Sequence, residues 1–506
     1  MNNYQTWLET PNLVRIALAQ VQALVGGVLT TRYISTHGVI VDSIQYLPII
    51  KNSISIEESI STSYAATISY GDIEIVNNNG EYDSWLTDIW VNKSVKIYVG
   101  SMPAPGTSSV IADYELIFDG LIDDIDSKSR ASLNFKIRNK LEKLNTSVSE
   151  SLLNNYFHGA IVSEVTSVNQ YRNNLKPICL GELHNITPLL TDSSLLEYMV
   201  NYEAVEQIIE VRDNGVPVAF TQTGVGYALP AGSFRLIKTP VGAVTCSVQG
   251  VKKTINITAA TTTTAYANTA ANTIAVILKL YGQTLAYTEI DSASFTSLGT
   301  QAVGVYLDSR VNVLAICQDI AKSCGLILTT TRSGVVKLVD LGIPASATIL
   351  ITEADMLLNT LVIAQKTEVI AGVKLGYAKN WTIQSSLLTS IPEDHKDLYK
   401  TEFLESIQLD ATTKTNYAIT TEPALENTYL IDKTQADAIA LKRLNLFKTP
   451  RKIIKMTCTA RLLSVQVGDA VNVTASRFGL NSGSLGQVIS TSPNWLKGTI
   501  EIGVLI

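Results

Sequence analysis

Patterns that carry chemistry are what this sequence has least of. Its 506 residues hold no G-x-S-x-G, no G-x-x-x-x-G-K-[ST] and no G-x-G-x-x-G. Hydrolase elbows and nucleotide cradles are therefore not signalled. Histidine is scarce: His37, His158, His184 and His395 are the four present, and none forms H-E-x-x-H or H-x-x-x-H. The five cysteines, Cys179, Cys246, Cys317, Cys324 and Cys458, are dispersed and odd in number. Without a C-x-x-C they signal neither a zinc site nor a redox pair. Cys317 and Cys324 fall seven apart on a predicted helix, and buried, reduced thiols are expected.

Charge is low as well, at 17% of residues with a net of −6. A mildly acidic chain is a poor general binder of phosphate backbones, so no specific nucleic-acid binding is expected. The densest basic stretch, Arg443 to Lys455, reads as a solvated helix end and strand edge. The apolar run "RIALAQVQALVGGVL" (Arg15 to Leu29) is interrupted by Gln20 and Gln22 and is short for a membrane span. The first fourteen residues carry Glu9 and no positive n-region, so no secretory leader is expected.

What is present is β-forming sequence. Hydrophobic residues make up 46%, and Thr, Ser, Asn, Val, Ile and Tyr are abundant. The length allows about three or four domains. Over residues 1–150, Val14/Ile16/Leu18, Ile73/Ile75, Val95/Ile97/Val99 and Leu133/Phe135/Ile137 alternate with other residues, the mark of strands with one buried face. An antiparallel barrel or sandwich is the expected architecture. The stretch "YGDIEIVNNNGEYDSWLTDIWVNKSVKIYVG" reads as strand, turn closing at Gly80, short helix and strand. Trp85, Leu86, Ile89 and Trp90 are spaced for one face of that helix. Both tryptophans are read as core plugs, with a ligand platform as the alternative.

Residues 151–300 read as an inserted β-rich domain with a hairpin at Asn214-Gly215 and a Thr-rich segment, Thr258 to Thr273, running into a helix. Residues 301–350 read as a small α/β unit, a helix ended by Gly325 and a hairpin turning at Ser333-Gly334. Residues 351–506 read as a C-terminal β-rich barrel domain with one helix, opened by Thr434 with Asp437 three residues on. The polar connection over 384–410 is expected to project as an arm. Gly468-Asp469 reads as a turn that Asp469 caps with its own side chain.

Candidate chemistry stays thin. His184, in "GELHNITP", lies between a turn and a proline and reads as a loop or structural histidine. The acidic pairs Asp123-Asp124, Glu393-Asp394 and Glu81 with Asp83 read as solvated strand ends and turns. No catalytic, cofactor or metal residue is assigned. The structural positions singled out are Gly80, Trp85, Trp90, Gly468 and Asp469.

Several segments, in order, resemble the tail-tip and baseplate hub proteins of tailed bacteriophages, prophages and gene-transfer particles. They are the Tyr70–Gly100 stretch, "ELIFDGLIDDI", "LNFKIRNKLEKLN", "PICLGELHNITPLLTD", "VKLGYAKNWTIQ" and "VQVGDAVNVTASRFGL". The resemblance implies a mainly β, multidomain protein with smaller α+β parts and a tail-tube-like N-terminal barrel. It implies a non-enzymatic virion component assembled in the host cytoplasm, a ring joining the tail tube to tip or fibre proteins and gating DNA passage. Its partners would be copies of itself, as a trimer or alternatively a hexamer, the tail-tube and distal tail proteins, and the tip, fibre or tape-measure proteins. Some relatives carry peptidase or lysozyme modules or cysteine-bound iron–sulfur clusters, for which this chain has no matching signature. The alternatives are a distal tail protein in a sixfold ring, a host-surface carbohydrate-binding protein using exposed aromatics such as Tyr266, and a cell-wall hydrolase.

Overall fold

The structure is a computed structural model describing residues 4–10, 13–65, 70–104, 107, 109–148, 156–157, 160–161, 174–222, 229, 231–281 and 285–506. Most of it is antiparallel β, arranged in several sheets with a minority of short helices. This is the mainly β, multidomain class expected from the sequence.

The chain divides into two compact units, each discontinuous in sequence. One comprises Met1–Lys143, Ile327–Glu368 and Pro450–Ile506; the other comprises Leu144–Leu326 and Val369–Thr449. The chain thus passes between them four times. This differs from the sequential division read from the sequence. The expected α/β unit over 301–350 is divided, its helix Val313–Ser323 in the second unit and its strand Val336–Asp340 in the first. The expected C-terminal domain is divided too, because its closing strands pair with strands of the N-terminal region.

The first unit is built on a sheet of 13 strands. Its hydrogen-bonded order starts Val28–Ser35, Arg15–Val25, Ser94–Ser101, Glu115–Ser129, Ser132–Asn139, Tyr70–Val76, Ile50–Ser59. It continues Ser484–Asn494, Thr499–Leu505, Lys452–Thr459, Val362–Lys366. The join is made where Ser59 and Glu58 pair with Ser490 and Thr491. The alternating apolar residues face one core: Ile73, Ile75, Val95, Ile97, Phe135 and Ile137 lie in it with Val488, Ile500, Ile502 and Val504.

Strand Arg15–Val25 departs from the one-faced reading. Ile16 and Leu18 are buried with Val39, Val41, Tyr46 and Tyr114, while Ala17, Ala19, Val21 and Ala23 are buried in the main core. The alternation of Ile16 and Leu18 with Ala17 and Ala19 predicts that the two alanines are exposed, yet both are buried. They are small because the main core lies against that side, and the larger residues fill a second, smaller core.

A buried ion pair lies beside the join of the sheet. Arg332 donates from Nε to Glu58 Oε2 at 2.7 Å, from Nη1 to the Leu463 carbonyl at 2.9 Å and from Nη2 to the Val465 carbonyl at 2.6 Å. Nη2 also reaches Thr491 Oγ1 at 2.9 Å, and the Thr491 hydroxyl is 3.0 Å from the same Glu58 oxygen. Both charged residues are buried. Burial removes hydration from both ions, and the four protein partners of the guanidinium replace it.

The second unit contains a five-stranded sheet, ordered Val216–Pro217, Val205–Asp213, Val244–Val251, Ile178–Ile186, Gly304–Leu307. Asn214 and Gly215 have φ of 45° and 85°, the paired positive values a tight hairpin turn needs. A four-stranded sheet shares its core through Tyr198, Phe234 and Leu236. Helix Lys433–Phe447 is capped by Asp432, which accepts from the Gln435 N–H at 2.8 Å, and not by Thr434. Asp is the stronger cap, and the helix starts two residues earlier than a Thr434 cap suggested. The segment expected to project as an arm folds onto its own unit: Gln384, Ile391 and Phe403 are buried, around helix Glu393–Lys400. The apolar residues within its polar run are what anchor it.

Arg332→Ala leaves Glu58 buried without its partner. It is expected to lower stability by about 3–5 kcal/mol, read as a shift of the first unit's transition in urea unfolding. A loss within experimental error would show that the ion pair is not needed for the join.

Candidate functional site

Two tight turns hold the structural positions singled out in the first unit. Gly80 and Gly468 have φ of +71° and +95°. A Cβ would lie 2.7 Å from Asp83 Oδ2 at the first and 3.0 Å from Val339 at the second. Asp83 is held by the Asn77 side-chain amide at 2.7 Å, and Asn77 Oδ1 accepts from the Tyr82 N–H at 3.0 Å. This fixes the turn that aims the tryptophans inward. Trp85 is 5% exposed and Trp90 2%. The Trp90 indole donates to the Trp85 carbonyl at 2.7 Å, and its ring lies 4.8 Å from Phe135. The Arg32 guanidinium lies 4.4 Å from the Trp85 ring and pairs with Asp88 at 2.5 Å. Leu86 and Ile89, expected on the same face, are exposed. The reason is that the helical part is a single 3-10 turn, Asp83–Thr87, so Trp90 reaches the core from extended chain.

Asp469 closes the second turn, accepting from the Gln466 N–H at 2.8 Å. Burial raises its carboxyl above the usual carboxylate range, offset in part by that hydrogen bond and by the charges of Lys337 and Arg332.

The other residues with chemical potential are mostly tied into the fold. Asp123 pairs with Arg138 at 3.0 Å, and Asp124 accepts from the Ile125 N–H at 2.8 Å. Glu393 pairs with Lys396 at 2.9 Å. Within the basic stretch, Arg443 pairs with Glu426 at 2.9 Å and Lys455 with Glu501 at 3.2 Å. All five thiols are buried. Burial pushes Cys324 and Cys458 up to about 12 and raises Cys179, Cys246 and Cys317 as well. Among the described residues, no three His, Cys, Asp or Glu side chains group closely enough to hold a metal. Tyr266 is partly buried, with its phenol raised by burial, so it is not the exposed aromatic that the carbohydrate-binding alternative called for. His158 lies outside the described residues.

Among the described residues, the second unit holds a cavity of about 720 Å³. It is lined from the five-stranded sheet by His184, Asn185, Glu210, Arg212 and Ser247. Ile391, Leu398, Tyr399 and Leu404 line it from the segment around helix Glu393–Lys400. Glu210 and Arg212 are two apart on strand Val205–Asp213 and project from one face, while Ile208 and Val211 both fill the core because the pairing shifts register between Ile208 and Glu210. Arg212 pairs with Glu210, donates to Ser247 Oγ at 3.0 Å and lies 5.8 Å from the Tyr399 ring. His184 lies 3.3 Å from Glu182. Burial lowers its pKa, the nearby Glu182 opposes that, and Arg212 adds to the lowering.

Asn185 lies where the pairing of strands Ile178–Ile186 and Val244–Val251 shifts register, with φ of 56°. Its amide donates to Asn380 Oδ1 at 2.8 Å and to the Thr382 carbonyl at 2.7 Å. It is 4% exposed, and its Oδ1 has no hydrogen-bond partner. Sequence reasoning singled out His184 but missed Asn185, Arg212 and Tyr399. The polar pair Glu210/Arg212 inside "IIEVRD" was the one available signal.

No protein-family model and no curated protein matches the chain by sequence. Solved structures do match. They include a tail protein from Neisseria meningitidis, at 10% identity over 97% of this chain and 96% of that one, with a TM-score of 0.41. The 43 kDa tail protein of prophage MuSo2 from Shewanella oneidensis gives the same identity, coverage and TM-score. A prophage tail protein from Listeria monocytogenes matches at 7% identity over 97% and 94% of the two chains, with a TM-score of 0.40. The chain is similar to prophage tail proteins. These are proteins of the kind its sequence motifs resemble. At such identities and TM-scores, the functional reading rests on features of the chain itself.

Two outcomes follow. Trp90→Ala empties a filled aromatic site and is expected to cost about 3–5 kcal/mol, measured by urea unfolding; a cost below about 1 kcal/mol would show a loosely packed site. Asp469 favours the folded state at low pH, because folding raises its pKa. That contribution falls as pH rises from the unfolded value of about 3.9 through the higher folded value. Asp469→Asn keeps the oxygen acceptor and removes the loss. The variant should therefore gain stability relative to the native chain as pH rises above about 4, and a difference that stays flat across stepped-pH unfolding contradicts the buried-carboxylate account.

Proposed function

We propose that the chain is a non-enzymatic structural component of a phage-type tail tip or baseplate, located in the virion. Its place is the central hub, a ring of copies that connects the tail tube to tip or fibre proteins and gates DNA passage. Three copies are the proposed number. The observation that carries the reading is the weaving of the chain. Strands from both ends of the sequence share one sheet, and the chain passes between its two units four times. Neither unit is a bead on a linker, so a pull on one is transmitted through several covalent strands to the other. That construction suits a part that holds a tube end and a tip together under load.

The sequence motifs support the same reading, since they fall in order in both units. Trp85, Trp90, Gly80, Gly468 and Asp469 serve in it as parts of the framework. Of the acidic residues that could have suggested a hydrolase, Asp123 is engaged by Arg138, Asp124 by backbone and Glu393 by Lys396.

Electron microscopy of particles carrying the labelled chain tests the position. Three copies in a ring at the tail tip are expected. Six copies above the tip would replace the hub with a distal tail ring, and absence of the label from purified particles would overturn the structural role.

A further inference from the structure

The cavity of the second unit has a composition that a framework role does not call for. The five-stranded sheet contributes the charged pair Glu210 and Arg212 with Asn185, and the segment around helix Glu393–Lys400 contributes both apolar residues and the polar Ser390, His395 and Thr401. The volume of about 720 Å³ falls within the range of small-molecule sites, roughly 300–1,000 Å³.

Three features narrow the ligand. Arg212 is already paired with Glu210, so the two charges cancel locally, and an anion would have to compete with a carboxylate in place. The pair still offers a planar donor beside a planar acceptor. Asn185 adds a buried carbonyl oxygen that no protein group satisfies. Such an oxygen is costly unless a donor reaches it. The apolar lining adds the Tyr399 ring together with Ile391 and Leu404. A ligand that fits all three has an apolar face, a rim of groups that both donate and accept, and no charge. Pyranose rings have this form: C–H groups on one face and hydroxyls around the edge. A fatty chain would leave Arg212, Glu210 and Asn185 facing hydrocarbon, which is unfavourable.

We infer that this cavity is a binding site for a neutral saccharide, its ring face against Tyr399 and its hydroxyls on Glu210, Arg212 and Asn185 Oδ1. The site would give the chain a recognition function beyond the framework role.

Isothermal titration calorimetry of the full chain tests this with glucose, galactose, mannose, N-acetylglucosamine, N-acetylgalactosamine, lactose and chitobiose, and with citrate as an anionic comparison. At least one sugar is expected to saturate with a Kd below about 10 mM, and citrate is not. Tyr399→Ala and the near-isosteric Glu210→Gln should each weaken that sugar by about tenfold or more while the cooperative thermal transition is kept. Glu210→Gln preserves volume, so it gives a reading even if Tyr399→Ala loosens the fold. Failure of every sugar to saturate overturns the inference. So does sugar binding that survives Glu210→Gln in the folded protein, or citrate binding more tightly than any sugar.

Discussion

The Arg332 guanidinium lies beside the point where the two ends of the sequence become one sheet. Its carboxylate partner, Glu58, is on the N-terminal strand of that join, and Thr491 is on the C-terminal strand paired with it. Two further bonds go to the carbonyls of Leu463 and Val465, and the Arg332 carbonyl accepts from the Asp119 N–H at 2.9 Å. One residue from a hairpin thus holds four stretches that are far apart in sequence. A buried guanidinium is stable only when all its donors find acceptors, so these stretches can come together in few ways. The Gln466–Asp469 turn follows directly on Val465, which places the raised carboxyl of Asp469 near the same charges. The pair is thus an orienting device more than a source of net stability, because desolvation of two ions offsets much of their attraction.

The tryptophan cluster plays the complementary part in the same unit. It contributes bulk where Arg332 contributes direction. Trp85, Trp90 and Phe135 fill a volume that alternating aliphatic strands leave open, and Arg32 lies against the rings. The second unit uses its polar residues differently. There, a register shift places a buried asparagine with one unmet acceptor beside an internally neutralised ion pair.

Period-two alternation was enough to find the strands at Ile73/Ile75, Val95–Val99 and Leu133–Ile137, because each has one face against a core and side-chain direction is fixed by the pleat. It was misleading for Arg15–Val25, where both faces are covered and alanine is small for packing reasons. The turns at Asn214-Gly215, Gly80 and Gly468 were legible because positive φ restricts which residues fit. The segment over 384–410 was misread because its polar average hid the few anchors, Gln384, Ile391 and Phe403, that settle where it lies. Of the cavity, His184, His395 and the Asn214-Gly215 turn were legible one by one, but not as neighbours. Its other members sit on strands and loops far apart in sequence, and nothing local marks them as neighbours.

By itself, then, the sequence determined the β class, the sites of the tight turns and the burial of the tryptophans. Each follows from local rules: the two-residue period of a strand, the steric limits on φ and the water-excluded area of a large ring. Tertiary structure alone decided that the chain's two ends share a sheet, that Arg332 meets Glu58 and that Asn185, Arg212 and Tyr399 line one cavity. Those are pairings between residues separated by tens to hundreds of positions. They are selected by the packing of whole sheets, for which no short stretch of sequence carries a code.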